Sequence, residues 1–234
     1  ELFKNKDCRM KPCSALPPGA EIDPLGTWCQ IIRYQPQGSA AQPALFLDRD
    51  GVVVEEVHYL HRVEDTIIVP GAAEVIRQAN ERGILVVIVT NQAGVGRGIY
   101  TWDDFITVQD HILDELSAAG ARVDAVYACP HHTQAGPPYN DPDAPDRKPN
   151  PGMLLRAADA FEIEMRQSWI IGDRANDLVA GLRAGINGGI HVFMGHGVES
   201  GEREQALALN SKNFSAHGAD SIADALKIIP LLSG

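Results

Sequence analysis

The stretch Ala44-Leu45-Phe46-Leu47-Asp48-Arg49-Asp50-Gly51-Val52-Val53 decides how the rest of the chain is read. A short apolar run ends in two carboxylates one residue apart, and a glycine follows. As a buried strand it delivers Asp48 and Asp50 to its carboxyl end, and Gly51 lets the backbone turn away. Strand side chains repeat every second residue, so Asp48 and Asp50 are expected to project the same way and Arg49 the opposite way. Two carboxylates that close repel each other. They ask for a cation, or for one of them to hold a proton. An acidic turn after an ordinary strand has the same local sequence, so the neighbouring segments must decide.

Beyond Gly51 the punctuation is regular. Residues 52–69 are long enough for a small flap or hairpin over the strand end and too short for a domain. Pro70-Gly71 opens a helix to about Arg82, with Val75, Ile76 and Ala79 on one face and Gly83 at its end. Ile84–Val89 is an uninterrupted aliphatic run, as expected of a parallel strand covered on both faces. It leads into Thr90-Asn91-Gln92 and the glycine-rich Ala93-Gly94-Val95-Gly96-Arg97-Gly98. Thr101 caps the next helix, with Asp103 and Asp104 in its first turn and Phe105, Val108, Ile112 and Leu116 at helical spacing, to about Gly120. Val123–Ala128 is a third strand. A long loop from Cys129 to Asn150 follows, rich in proline, histidine and aspartate. Asn150-Pro151 starts a helix to about Phe161. Ser168–Ile171 is a fourth strand, ending in Gly172-Asp173. A helix over 175–185, a strand over 190–193 and a helix over 221–229 complete the pattern, and 195–220 shows no period.

Strands alternating with helices from residue 44 onward imply an α/β fold: a Rossmann-like, doubly wound parallel sheet with helices on both faces. In such sheets ligands bind outside the carboxyl ends of the strands. The unusual residues gather on that edge: Asp48 and Asp50 after the first strand, Thr90 after the second, Cys129 and His131 after the third, Asp173 after the fourth. Asp48, Asp50 and Asp173 are hard oxygen donors suited to Mg²⁺. Thr90 offers a hydroxyl, the chain from Asn91 offers amides, and Lys148 is a fixed cation just before a helix. A metal, a lysine, a hydroxyl and amides around two carboxylates describe phosphoryl transfer, in which one carboxylate attacks phosphorus and the other handles protons.

The domain is read as 44–234, with 1–43 as an irregular N-terminal arm broken by Pro12, Pro17, Pro18, Gly19, Pro24 and Gly26. Within the arm, Trp28–Tyr34 alternates well enough for one edge strand. Cys8 and Cys13 lack neighbours to complete a metal-ligand set. The 234 residues are 44% hydrophobic and 22% charged, with a formal net charge of -11. That balance argues against nucleic acid as a partner and leaves room for a small phosphorylated metabolite. No apolar stretch approaches membrane-spanning length and no basic-then-apolar leader is seen, so the expectation is a cytoplasmic protein, monomeric or weakly homo-oligomeric, without a membrane partner.

Taken together, Asp48-x-Asp50-Gly51-Val52, Thr90 closing an apolar strand, Lys148 before a helix, and Gly172-Asp173-x-x-x-Asp177 resemble the four motifs of the haloacid dehalogenase superfamily. The resemblance covers about 44 to 193. It implies Asp48 as nucleophile, Asp50 as acid/base, Thr90 and Lys148 as further catalytic groups, and Mg²⁺ held by Asp48, the Asp50 backbone carbonyl and Asp173, with Asp177 adjacent. A narrower resemblance rests on Phe46-Leu47-Asp48-Arg49-Asp50-Gly51, Thr90–Gly98, Cys129-Pro130-His131-His132 and Arg147–Met153. These stretches are similar to the heptose 1,7-bisphosphate phosphatases and the related histidinol-phosphate phosphatases, which lack a large cap domain. That likeness implies substrate contacts from Asn91, Gln92, Arg147 and Arg174, and from Glu56 and Tyr59 in the flap. It also brings a departure: the family pattern places a zinc site at Cys-x-His and a later Cys-x-Cys. Here Cys129 and His131 are followed by Ala144 and Asp146, so no structural zinc is expected.

Other residues have plainer readings. Arg97 reads more readily as a solvated charge than as a phosphate contact, and Gly94, Gly96 and Gly98 shape a loop without being a dinucleotide fingerprint. His131 and His132 read as polar loop residues. His58, His61, His191, His196 and His217 show no pairing pattern, and Trp102 and Trp169 fit core packing. The expected function is a Mg²⁺-dependent phosphatase acting on a sugar bisphosphate. Histidinol-phosphate hydrolysis and a non-catalytic sugar-phosphate-binding domain are the alternatives.

Overall fold

The computed structural model describes residues 15–36 and 38–233. Eight strands form one sheet: β1 (Ala20–Ile22), β2 (Trp28–Ile31), β3 (Ala44–Leu47), β4 (Leu85–Asn91), β5 (Ala125–Cys129), β6 (Trp169–Gly172), β7 (Gly188–Val192) and β8 (Ser215–Ala219). The helices among the described residues are α1 (Ala72–Glu81), α2 (Ala93–Gly96), α3 (Trp102–Ala118), α4 (Gly152–Ala160), α5 (Ala175–Ala184), α6 (Glu202–Leu207) and α7 (Ala225–Ile228). The strands lie in the order β1-β2-β5-β4-β3-β6-β7-β8. From β5 to β8 every pairing is parallel, while β1 with β2 and β2 with β5 are antiparallel.

β3 is buried along its length because both faces of the sheet are covered. Leu45 and Leu47 join a core with Val75 and Ile76 of α1 and Phe105 and Ile112 of α3. Ala44 and Phe46 point the other way, to Met153 and Leu154 of α4 and Leu178 of α5. The chain walks from β3 to β5 in one direction, then returns to β3's other side and walks to β8. Right-handed crossovers put the helices of the two walks on opposite faces. The reversal opens a crevice at the carboxyl ends of β3, β4 and β6, the usual ligand position in such sheets. Trp102 and Trp169 are buried, as expected.

The expected elements over 70–82, 101–120, 151–161 and 175–185 are present as α1, α3, α4 and α5, each within a few residues of its expected ends. Two regions differ. Residues 195–220, which show no sequence period, contain a short 3-10 turn at Gly195–Val198, α6 and β8. In the arm, the expected strand is β2, but it is joined by β1 in a hairpin that adds to the sheet beside β5. Cys8 and Cys13 lie outside the described residues. The segment between β3 and α1 has only a 3-10 turn at Val63–Asp65 and isolated bridges, so it is a flap and no cap domain is inserted there. No described helix is long and apolar enough to cross a membrane.

Candidate active site

Asp48 is placed by the sheet itself. Its amide donates to the Ile171 carbonyl at 3.0 Å, carrying the β3–β6 register one residue past β3. Its Oδ1 accepts the Arg49 amide at 2.8 Å and Lys148 Nζ at 2.9 Å. The strand then ends, and a turn takes over in which the Val53 and Val54 amides donate to the Arg49 carbonyl at 2.9 and 3.0 Å. Asp50 therefore reaches the crevice through the turn, not through strand alternation. Gly51 makes the turn possible at φ +81, and a Cβ there would collide with the Asp173 carboxylate.

Arg49 lies on the Leu45 and Leu47 face, packed over Phe105 and opposite to Asp48 as expected, and pairs with its neighbour Asp50. It is fully buried, and its Nε and Nη2 donate to Asp50 Oδ2 and Oδ1 at 3.1 and 3.0 Å, with the guanidinium 5.2 Å from the centre of the Phe105 ring. Gln92 Nε2 donates to Asp50 Oδ2 at 2.9 Å and to Thr90 Oγ1 at 2.8 Å, while the Tyr100 hydroxyl donates to Gln92 Oε1. A planar two-pronged pair plus an amide fixes the orientation of the Asp50 carboxylate. Arg49 and Tyr100 were not among the site residues that the sequence suggested.

Lys148 is 2% exposed and lies at the floor of the crevice. Besides Asp48, its ammonium donates to Asp177 Oδ1 at 2.6 Å and to the Val89 carbonyl at 2.8 Å. Asn91 fixes the Lys148 backbone from both sides, accepting its amide at 3.1 Å and donating to its carbonyl at 3.0 Å. Burial alone would lower the lysine's pKa, but Asp177 and Asp48 outweigh it and hold the ammonium charged.

Asp48, Asp173 and Asp177 each bring a carboxylate oxygen to within 4.8 Å of the others. Burial, with Asp177 and Asp50 adding repulsion against the opposing pull of Lys148, pushes Asp48 up to about 7. Burial, with Asp48 and Asp177, pushes Asp173 up to about 9. Three buried carboxylates served by one lysine lack positive charge, and their hard oxygens fit a magnesium-like cation. The expected metal set was Asp48, Asp50 and Asp173. The Asp50 carboxylate is occupied by Arg49 and Gln92, which leaves its backbone carbonyl to offer a metal, and Asp177 brings a carboxylate into the trio. The His196 amide donates to Asp173 Oδ2 at 2.7 Å, so the segment before α6 also shapes this corner.

These groups line a cleft of about 310 Å³. Each expected catalytic, metal and substrate residue reaches it: Asp48, Asp50, Thr90, Lys148 and Asp173 at the floor, Asn91, Gln92, Arg147 and Arg174 along the walls, and Glu56 and Tyr59 from the flap. His58, His132 and His196 also line it, although the sequence assigned them no such place. His58 and Tyr59 hold positive φ values of 56 and 68, an uncommon conformation for residues with side chains. The Glu56 carboxylate accepts the His58 amide at 2.6 Å, and Arg97 lies over the Tyr59 ring and donates to its hydroxyl. Arg97 is thus a flap contact.

The long loop from Cys129 carries the positions where the resemblance places zinc. The Cys129 thiol is buried and pushed up to about 12, chiefly by burial. His131 Nε2 donates to the Leu25 carbonyl at 2.7 Å, Ala144 has no ligand atom, and Asp146 accepts Arg156 at 3.0 Å.

A family model described as haloacid dehalogenase-like hydrolase matches residues 36–185, and a second, described as HAD-hydrolase-like, matches residues 146–226. The chain belongs to the haloacid dehalogenase-like hydrolases. This hydrolase is 44% identical over 147 residues to the D-glycero-beta-D-manno-heptose-1,7-bisphosphate 7-phosphatase of Rhodopseudomonas palustris, covering 63% of this chain and 82% of the relative. It is 34% identical over 186 residues to the protein of the same name from Pasteurella multocida, covering 80% and 96%. A solved structure of a HAD-like phosphatase assignment from Mesorhizobium loti superposes with a TM-score of 0.76 at 33% identity, over 88% of this chain and 92% of that one. The D,D-heptose 1,7-bisphosphate phosphatase of B. bronchiseptica, solved with magnesium and phosphate, superposes with a TM-score of 0.66 at 27% identity, over 80% and 97%.

Proposed function

We propose that this hydrolase is a Mg²⁺-dependent phosphatase that removes phosphate from a small phosphorylated sugar, with a heptose 1,7-bisphosphate as the substrate. The observation that carries the proposal is the Asp48 carboxylate. Its Oδ1 is pinned by Lys148 and the Arg49 amide, and its Oδ2 remains to attack at the floor of a cleft with three clustered carboxylates. The names of the curated relatives support the substrate.

In this mechanism Asp48 Oδ2 attacks phosphorus and forms an aspartyl-phosphate as the bond to the sugar oxygen breaks. Asp50, oriented by Arg49 and Gln92, gives its proton to the departing oxygen, then takes one from the water that hydrolyses the intermediate. Lys148, the Thr90 hydroxyl and the amides from Asn91 onward balance charge on the phosphoryl oxygens. Asp48, Asp173, Asp177 and the Asp50 carbonyl would hold Mg²⁺, which supplies charge neutralisation at the phosphoryl group. Arg147 and Arg174 on the wall are placed for the rest of an anionic substrate.

The proposal extends to a cytoplasmic enzyme, monomeric or weakly self-associating, that meets neither nucleic acid nor membrane; the net charge of -11 supports the absence of a nucleic-acid partner. It also holds that the long loop carries no zinc, supported by Ala144 and the Asp146–Arg156 pair. The test is turnover of heptose 1,7-bisphosphate beside histidinol phosphate. Higher kcat/KM for the heptose ester, with loss of activity in Asp48→Asn and in EDTA, is expected. Activity retained in either condition overturns the mechanism, and preference for histidinol phosphate overturns the substrate.

A further inference from the structure

The arm's hairpin turn, Asp23 to Thr27, meets the long loop at the positions where a zinc-bearing relative would place its ligands. The Leu25 carbonyl accepts His131 Nε2 at 2.7 Å. The Arg156 guanidinium on α4 joins the Asp23 carboxylate to that of Asp146, the latter at 3.0 Å. Thr27 lies beside Cys129, next to the Trp28–Ala128 register pair. Gly26, at φ +85, packs on the Tyr139 ring so closely that a Cβ would overlap it, and that ring stands edge-on to His131 at 5.6 Å.

The turn is itself braced. Asp23 Oδ1 accepts the Thr27 amide at 2.9 Å, the Asp23 carbonyl accepts the Gly26 amide at 2.8 Å, and the Asp23 amide donates to the Thr27 carbonyl at 3.0 Å. What it holds leads directly to the cleft. The His131 carbonyl accepts Arg147 Nη1 at 2.6 Å, and Asp146 immediately precedes Arg147.

We propose that this turn takes the place of a metal as the organiser of the loop, with Asp23 and Arg156 as positioning residues that set Arg147 in the substrate cleft. A carbonyl on the histidine and an arginine between two carboxylates tie the same loop positions that four ligands on one ion would tie. Lys148 does not depend on this brace, because Asn91, Val89, Asp48 and Asp177 hold it independently. Disturbing the turn should therefore weaken substrate binding more than the chemical step.

The test uses the full chain carrying Asp23→Ala, Asp23→Asn, Arg156→Met or Arg156→Lys, with amide hydrogen exchange measured by mass spectrometry beside steady-state kinetics. Asp23→Ala and Arg156→Met should speed exchange selectively over residues 130–147 and raise KM by about 10-fold, with kcat within about 3-fold of the parent. Asp23→Asn keeps an acceptor for the Thr27 amide and Arg156→Lys keeps a cation, so both should fall between. Adding Ala144→Cys and Asp146→Cys to Asp23→Ala should bind zinc with Cys129 and His131 and restore slow exchange. The proposal is overturned by parental exchange and KM in Asp23→Ala, by faster exchange throughout the sheet, or by zinc uptake that leaves the loop exchanging fast. Because the reaction reading supplies only the kinetic arm, the exchange measurement decides the matter even where the proposed substrate proves wrong.

Discussion

Replacing Lys148 with methionine removes the one ammonium among three buried carboxylates while nearly keeping the side chain's length. Lys148 is 2% exposed and bonds Asp48 at 2.9 Å and Asp177 at 2.6 Å. Stripping one partner from a buried ion pair costs about 3–5 kcal/mol, and two carboxylates lose their partner at once. The carboxylates have an escape, because Asp48 and Asp173 already sit at about 7 and about 9 and rise further without the lysine. Below those values they take up protons, and the loss shrinks toward the about 1–2 kcal/mol expected of missing hydrogen bonds. Urea unfolding in EDTA should therefore show Lys148→Met destabilised by about 3–5 kcal/mol near pH 10 but clearly less near pH 5.5. With Mg²⁺ present, kcat should drop by about 10²–10³-fold, the usual scale for one preorganised charge at a reacting group. An equal stability loss at both pH values, or a kcat within about 2-fold of the parent, refutes the reasoning.

Gly51→Ala should abolish tight Mg²⁺ binding in isothermal titration calorimetry, because a Cβ at φ +81 displaces the Asp173 carboxylate and adds about 1 kcal/mol of backbone strain. Asp48 and Asp173 bind protons more readily folded than unfolded, where the ordinary value is 3.8, so the metal-free protein should lose thermal stability as pH rises from about 4 through about 7 to about 9. Saturating Mg²⁺ should raise Tm most at the upper end of that window, which differential scanning calorimetry would read. Thr101→Ala should cost about 1 kcal/mol, seen as a lower urea midpoint at unchanged slope, because Thr101 accepts the Asp104 amide at 3.2 Å while Asp104 accepts the Thr101 amide at 2.8 Å.

Asp48, Thr90 and Asp173 could be picked out from the sequence because each follows an aliphatic run that a parallel sheet must bury, so the fold's own logic marks its carboxyl edge. Lys148 needed the motif order as well, since nothing local distinguishes it from another loop lysine. Arg49 keeps the strand alternation onto the Phe105 face, while its two-pronged hold on Asp50 was not legible because a turn, not the strand, aims Asp50 beyond Leu47. His196 was missed because its segment has no usable period. Helix α6 has six residues, and β8 reads Ser-Ala-His-Gly-Ala, without a β-branched residue. The three-residue β1 sits among glycine and proline, where local signals indicate turns and only pairing with β2 makes a strand.

The position of β3 between β4 and β6 has a consequence for synthesis on the ribosome. When the chain has emerged as far as β5, the half-sheet β3-β4-β5 and its first helices can form, but the Ile171 carbonyl that accepts the Asp48 amide has not yet been made. Lys148, Asp173 and Asp177 are still to be made. A nascent chain at that stage carries Asp48 without the other two carboxylates of the trio, and β3 still has one edge open. Addition of β6 closes that edge through Leu45–Trp169 and Leu47–Ile171 pairing and in the same step delivers Asp173. Binding of a divalent ion is thereby reserved for chains whose central seam has closed, and its free energy stabilises the finished domain without stabilising the half-made one.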